Sequence, residues 1–188
     1  MSYGVHAYAV DLGRIRSLVG SGDEALLGQL LSEHAADLPQ LDELLEVEID
    51  EGEPSVTDAL RLILRGEMGD AEPDNAQYGY ALELICRSIG HSMFPAQLVQ
   101  LSAEWLGKQS ELNVLGAVSG PLTGLIPLPF EFPGVGCIGP DEIDSRLQRA
   151  HEAASRVADP VAIDCYGEYI GWLEAARERN AALVSFLY

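Results

Sequence analysis

The last eight residues, Ala181-Ala182-Leu183-Val184-Ser185-Phe186-Leu187-Tyr188, constrain the fold more than any other stretch. In an extended chain, successive side chains point to opposite faces. Ala182, Val184 and Phe186 then share one face, and Leu183 and Leu187 the other, so both faces are apolar and both need cover. Such a strand also needs a backbone partner. The best complement is YGVHAYAV at residues 3–10, where Tyr3, Val5, Ala7 and Ala9 alternate with Gly4, His6, Tyr8 and Val10. Neither of its faces is strongly polar. The expectation is that these two segments pair in one sheet with cover on both sides.

Between them the periodicity is helical. Asp11 reads as the N-cap of a short helix over 12–19, closed by Gly20. Leu26, Leu27, Leu30 and Leu31 predict a helix from Asp23 to about Ala36, and a shorter one is expected over 41–46, followed by loop. Ser55 starts a helix with the stripe Val56, Ala59, Leu60, Ile63 and Leu64, ended by Gly66. Residues 66–75 carry turn chemistry. Further helices are expected over 78–89 and over 95–106, the latter burying Leu98, Leu101 and Trp105. Residues 112–140 are broken by glycine and proline and hold at most short edge-strand pieces, because proline removes a ladder donor. Pro140 opens a helix whose stripe is Ile143, Leu147, Ala150, Ala154 and Val157. Asp159-Pro160 interrupts it, and a last helix starts near Asp164 and ends near Asn180. The chain thus reads as one α+β domain over 1–188: a small central sheet pairing the N-terminal and C-terminal strands, packed by about six helices.

Charge narrows the function classes. Eleven basic residues stand against 30 acidic ones, a net charge of −19. A surface of this sign repels nucleic acid and anionic lipid, which need Lys and Arg to displace counterions. It suits a basic protein partner instead. No apolar run approaches the ~20 residues that span a bilayer, and the N-terminus lacks a basic leader, so a cytoplasmic location is expected. Three widely spaced cysteines, Cys86, Cys137 and Cys165, agree with a reducing compartment. Lys108 is the single lysine, and the Ala-, Gly- and Arg-rich composition is that of a GC-rich bacterial genome.

One motif invites a nucleotide reading. Gly134-Val135-Gly136-Cys137-Ile138-Gly139 has the G-x-G-x-x-G spacing of a dinucleotide-binding turn. Such a turn follows a central strand and leads into a helix N-terminus that receives the pyrophosphate. Here IPLPFEFP precedes it with three prolines, and Asp141, Glu142 and Asp144 follow it with negative charge. No cofactor and no metal is therefore expected: no phosphate-loop, zinc-protease or nucleophile-elbow pattern occurs, and EVEIDEG lacks the closing acid of a calcium loop.

The weak catalytic candidates are Cys137, His6 and His91, since a glycine loop before a helix N-terminus can lower a thiol pKa. The neighbouring acids oppose that effect. A pocket or interface is a better use of the polar residues, with Tyr8, Tyr78 and Tyr80 as polar-tipped groups near element ends. His34 falls on an apolar stripe and reads as packed. Residues 37–58 carry nine carboxylates and no Lys or Arg. Within them Glu48, Asp50 and Glu51 form the centre of a possible docking face for a basic partner.

Several segments resemble, in order, the small cytosolic bacterial proteins of the YfbM type or a related actinobacterial domain of unknown function. These are GVHAYAV before a helix, DALRLILRGE, the turn-rich centre, GPDEIDSRL and YIGWLEAARERNAALVSFLY. The resemblance implies an α+β fold with terminal strands in one sheet and carries over no catalytic residues. DALRLILRGE departs from that type in lacking the Trp and His around this helix. The residues point to a non-catalytic binding or interaction module, inhibitor- or immunity-like in one form, rather than an enzyme. The alternative is a small cysteine-dependent hydrolase or transferase built on loop 116–140.

Overall fold

A computed structural model describes residues 4–69, 76–93, 121–122, 124–129 and 133–188. The helix expected over 95–106 lies outside the described residues. The rest is α+β. The described elements run β1 (Val5–Val10), α1 (Leu12–Leu18), α2 (Glu24–Glu33), α3 (Leu38–Leu44), α4 (Glu46–Asp50), α5 (Val56–Arg65), α6 (Ala76–Ile89), β2 (His91–Ser92), β3 (Gly134–Ile138), α7 (Pro140–Ala154), α8 (Pro160–Glu178) and β4 (Ala182–Leu187).

The sheet is antiparallel throughout, in the order β2-β1-β4-β3. The two end strands are its centre: β1 and β4 pair from Val5↔Leu187 to Val10↔Ala182. The ladder continues one step outward, where Gly4 and Tyr188 exchange both backbone hydrogen bonds at 3.0 and 2.9 Å. Register then assigns the faces. Tyr8, Val10, Ala182, Val184, Phe186, Val135 and Cys137 bury against α1–α6, and Val5, Ala7, Ala9, Leu183 and Ile138 bury against α7 and α8. The molecule is a three-layer stack with β1 and β4 sandwiched. The row Ala7–Ser185–Gly136 crosses the second face with small side chains, and Tyr166 and Tyr169 of α8 are fully buried in the core on that side.

Local signals set most boundaries. Asp11, Asp23 and Ser55 each accept a backbone N–H of the first turn of α1, α2 and α5. Gly66 closes α5 at a left-handed φ of 68°. Other boundaries differ from expectation. Helix α8 begins at Pro160 rather than near Asp164, because Asp159 caps Val161 N and proline at the first helical position leaves no donor unmet. Helix α2 ends at Glu33, where His34 turns out of the helix to form side-chain contacts. Residues 46–50, expected as loop, form the short helix α4. The short helix expected over 41–46 is α3, which runs over Leu38–Leu44 instead, and with α4 the described helices number eight. Strand β2 carries only two residues and was invisible to pattern.

The glycine motif is itself strand β3, an edge strand, with Gly139 as the N-cap of α7. Its glycines lie in an extended ladder and not in a phosphate-binding turn. Two other glycines permit close approaches. A Cβ on Gly90 would stand 2.6 Å from Cys86 O and 2.8 Å from Val10 Cγ2, so its absence lets the chain pass from α6 into β2. A Cβ on Gly79 would meet Pro129 and Pro133 at 2.8 Å, so the proline-rich segment rests directly on α6. Among the described residues no helix is long and apolar enough to cross a membrane.

Leu183, Val184 and Phe186 are buried as the alternation requires, whereas Leu187 is only partly covered. Phe186→Ala is expected to cost about 3–5 kcal/mol in chemical denaturation. Leu187→Ala should cost less than about 2 kcal/mol. Equal losses at the two positions would contradict this sandwiching of β4.

Candidate functional site

Helix α6 is buried nearly all round, from Gln77 to Cys86. Within it Tyr80, Glu83, Leu84 and Arg87 recur at helical spacing and therefore share one side. That side faces the first-face residues of the sheet ends, His6 and Tyr188. Across from it stands α3, with Asp37 at its N-cap and Gln40, Leu41 and Leu44 along it. Together these residues line a cleft of about 380 Å³.

Glu83 organises the floor. Its residue is only 4% exposed, yet Oε1 accepts the Tyr8 hydroxyl at 2.9 Å and faces His6 Nδ1 at 2.7 Å. Arg87 Nη2 approaches the same oxygen at 3.6 Å. A carboxylate can only accept, so this geometry places the proton of a neutral His6 on Nδ1 and leaves Nε2 as an acceptor. Arg87 Nη1 meanwhile donates to Asp37 Oδ2 at 2.8 Å, where His34 Nδ1 lies 3.4 Å away. His34 is itself buried and bonded to Ser88 Oγ at 3.0 Å, and Ser88 donates to Glu33. The floor is thus a relay from β1 through α6 to the α2–α3 corner.

The rim is aromatic and aliphatic. Tyr80 and Tyr188 stack with centroids 5.7 Å apart and planes 29° from parallel, and the His6 ring tilts against Tyr188 at 5.3 Å. Leu44 is 65% exposed, the most exposed large apolar side chain described. Burial pushes the Tyr8 hydroxyl well above its ordinary range, and the adjacent Glu83 charge adds to that. Tyr80 is raised by burial, then by Glu83 and Glu48. Both phenols are therefore neutral donors at physiological pH.

Of the residues singled out by sequence, His6, Tyr8 and Tyr80 converge here. Glu48 on α4 is near enough to Tyr80 to bias it, while Asp50 and Glu51 are exposed beyond it. Tyr78 is buried on α6 outside the cleft lining, raised by burial and then by Glu53. His91 sits exposed on β2 against Arg179 at 3.1 Å. Cys137 is buried in β3, and no histidine among the described residues lies within hydrogen-bond reach of it. Its pKa is pushed up to about 12 by burial and then by Glu142, with Arg16 opposing only in part. The other two thiols are also buried and raised by burial. Among the described residues no group of three potential ligands could hold a metal ion. Sequence reasoning missed Glu83, Arg87, Asp37 and Tyr188. A single carboxylate between Leu82 and Leu84 in an otherwise apolar helix was the available signal for the first.

The family comparison is decided by coverage. A family profile described as Domain of unknown function (DUF7691) matches residues 1–188. The chain belongs to the DUF7691 family. The profile that matches is this one and not that of the YfbM type or of an actinobacterial domain, and the family relation carries no assigned chemistry. No curated protein and no solved structure matches the chain.

The thiol geometry gives a direct test. With a pKa near 12, the thiolate fraction of Cys137 at pH 8 is about 10⁻⁴. Iodoacetamide at pH 8 is expected to leave the folded protein unmodified by intact mass and to add three groups after denaturation. Rapid native labelling of Cys137 would contradict its burial.

Proposed function

We propose that this DUF7691 protein is a non-catalytic binding module whose α3–α4 face and adjoining cleft receive a basic protein partner. The supporting observation is the juxtaposition of a formed cleft with uncompensated acid. Some carboxylates of residues 37–58 have local duties: Asp37 pairs with Arg87, Asp58 with Arg61, and Asp42 accepts Val56 N at 2.8 Å. The described ion pairs leave Glu43, Glu46, Glu48, Asp50, Glu51 and Glu53 without a cation. Clustered carboxylates of this kind raise the association rate of a basic surface and select against an acidic one. The cleft beside them adds an apolar wall, which a solvated charge cluster alone lacks.

An inhibitor- or immunity-like protein acting in the bacterial cytoplasm is the narrower form of this reading, and a distant kinship with the YfbM type is compatible with it. A thiol enzyme gains nothing from the geometry, because Cys137 is buried, raised in pKa and without a hydrogen bond to either histidine.

The test uses a nona-arginine peptide as probe. Binding is expected at low salt and should weaken steeply toward ~0.15 M, where the Debye length is about 8 Å. Replacing Glu43, Glu46, Glu48, Asp50, Glu51 and Glu53 by Gln or Asn, with Asp42 kept for its structural role, should lower affinity at least tenfold and flatten the salt dependence. Unchanged affinity and salt slope in a folded variant would defeat the proposal.

A further inference from the structure

The cleft has features that the acidic face does not. Its floor holds two carboxylates, Glu83 and Asp37, against one guanidinium, Arg87, which already approaches both. The two carboxylates and the one guanidinium of the lining sum to a single surplus negative charge. That charge lies beside apolar walls, where the effective dielectric falls and an ion pair strengthens relative to bulk water. Three aromatic rings close one end, with Tyr80 and His6 each in contact with Tyr188. The faces of tyrosine rings attract cations. His6 has its Nδ1 engaged by Glu83, which leaves Nε2 toward the cleft, and Gln40 contributes an amide oxygen that can accept. Leu41, Leu44 and Leu84 complete an apolar channel suited to an aliphatic stem.

From these groups we propose that the cleft is an anchor pocket for one arginine side chain borne by a protein partner. This rests on the binding-module reading and specifies its central contact. The guanidinium lies on the Tyr80–Tyr188 rings and donates toward the carboxylate floor and the Gln40 amide oxygen, while its methylenes pack on the leucines. Arginine fits better than lysine, since a planar, weakly hydrated guanidinium stacks on rings and loses less on leaving water. An anion is disfavoured by Glu83 and Asp37, because the cleft's own guanidinium is already taken. A free amino acid is disfavoured for the same reason, as its carboxylate would enter the same field.

The experiment titrates N-acetyl-arginine amide into the folded protein and follows backbone amide resonances by NMR. Saturable shifts centred on residues 80–87, 6–8 and 188 are expected. The citrulline analogue, equal in shape and uncharged, should bind roughly tenfold more weakly, and the lysine analogue should also be weaker. Leu44→Arg is the first variant: the site is mostly exposed, so folding is retained, and a cation at the rim should abolish binding. Tyr188→Leu, with its fold checked by circular dichroism and melting temperature, should weaken binding roughly tenfold. Equal affinity for the citrulline analogue, or binding unaffected by Leu44→Arg, would overturn the pocket. Tighter binding of free arginine than of the capped amide would overturn the protein-borne source. Nona-arginine separates the two levels. If it binds through the acidic face while the capped arginine does not bind at all, the pocket fails and the docking face stands. If neither probe binds, both fail.

Discussion

Everything in this structure hangs on the antiparallel pairing of β1 with β4. The two strands are the middle of the sheet and are covered on both faces, so each contributes to two cores at once. The six-helix layer packs on Tyr8, Val10, Val184 and Phe186, and the α7–α8 layer on Val5, Ala7, Ala9 and Leu183. Neither layer has another sheet face to close against. The same pairing delivers two groups of the cleft. His6 projects from the first face of β1, and Tyr188 follows β4 in register with Gly4. Fold and site are therefore products of one contact between residues some 180 positions apart in the chain.

Glu83 is the second organising element and a costly one. Taking a carboxylate out of water costs several kcal/mol unless hydrogen bonds and charge replace the lost hydration. Tyr8, His6 and Arg87 supply that replacement, all on one oxygen. Removing the carboxylate would strand the buried Tyr8 hydroxyl, a loss of about 1–3 kcal/mol. A hydrophobic residue at position 83 would meet the packing needs of α6 without any of this network. That an acid stands there, at the floor of an open cleft ringed by aromatics, is the physical link between the interior of the protein and its proposed recognition of a cation.

Much of the fold was legible in the sequence because the deciding signals are local and periodic. The double-sided alternation of AALVSFLY identified a covered strand and its partner. The stripe from Val56 to Leu64, bounded by Ser55 and Gly66, identified α5 almost to the residue. Legibility failed where tertiary contacts outweigh local pattern. The α8 start was misplaced because Asp159-Pro160 reads equally as a break or as a cap followed by a first helical position. Strand β2 is too short to have a period and exists only because Gly90 lets it lie against β1. The site was half legible. His6, Tyr8 and Tyr80 stood out as polar tips on apolar elements, but their convergence depends on strand register and on the facing of α6, which no single segment encodes. Asp37 and Arg87 looked like ordinary surface charges, and only their meeting across α3 and α6 gives them a role. Cys137 attracted notice through the glycines around it, which the structure shows to be edge-strand residues with the thiol turned inward.

Native-state hydrogen exchange tests the central claim most directly, since it reads the free energy of opening for each amide. If β1–β4 pairing holds both layers, the amides of Val5–Val10 and Leu183–Phe186 exchange only through global unfolding, with opening free energies equal to the stability from denaturation. Helices α2 and α3 and edge strand β3 open at lower free energy. Exchange of β1 or β4 amides faster than those of α2 or α5 would contradict the account, because the helical layer would then hold together without the strands on which it is said to depend.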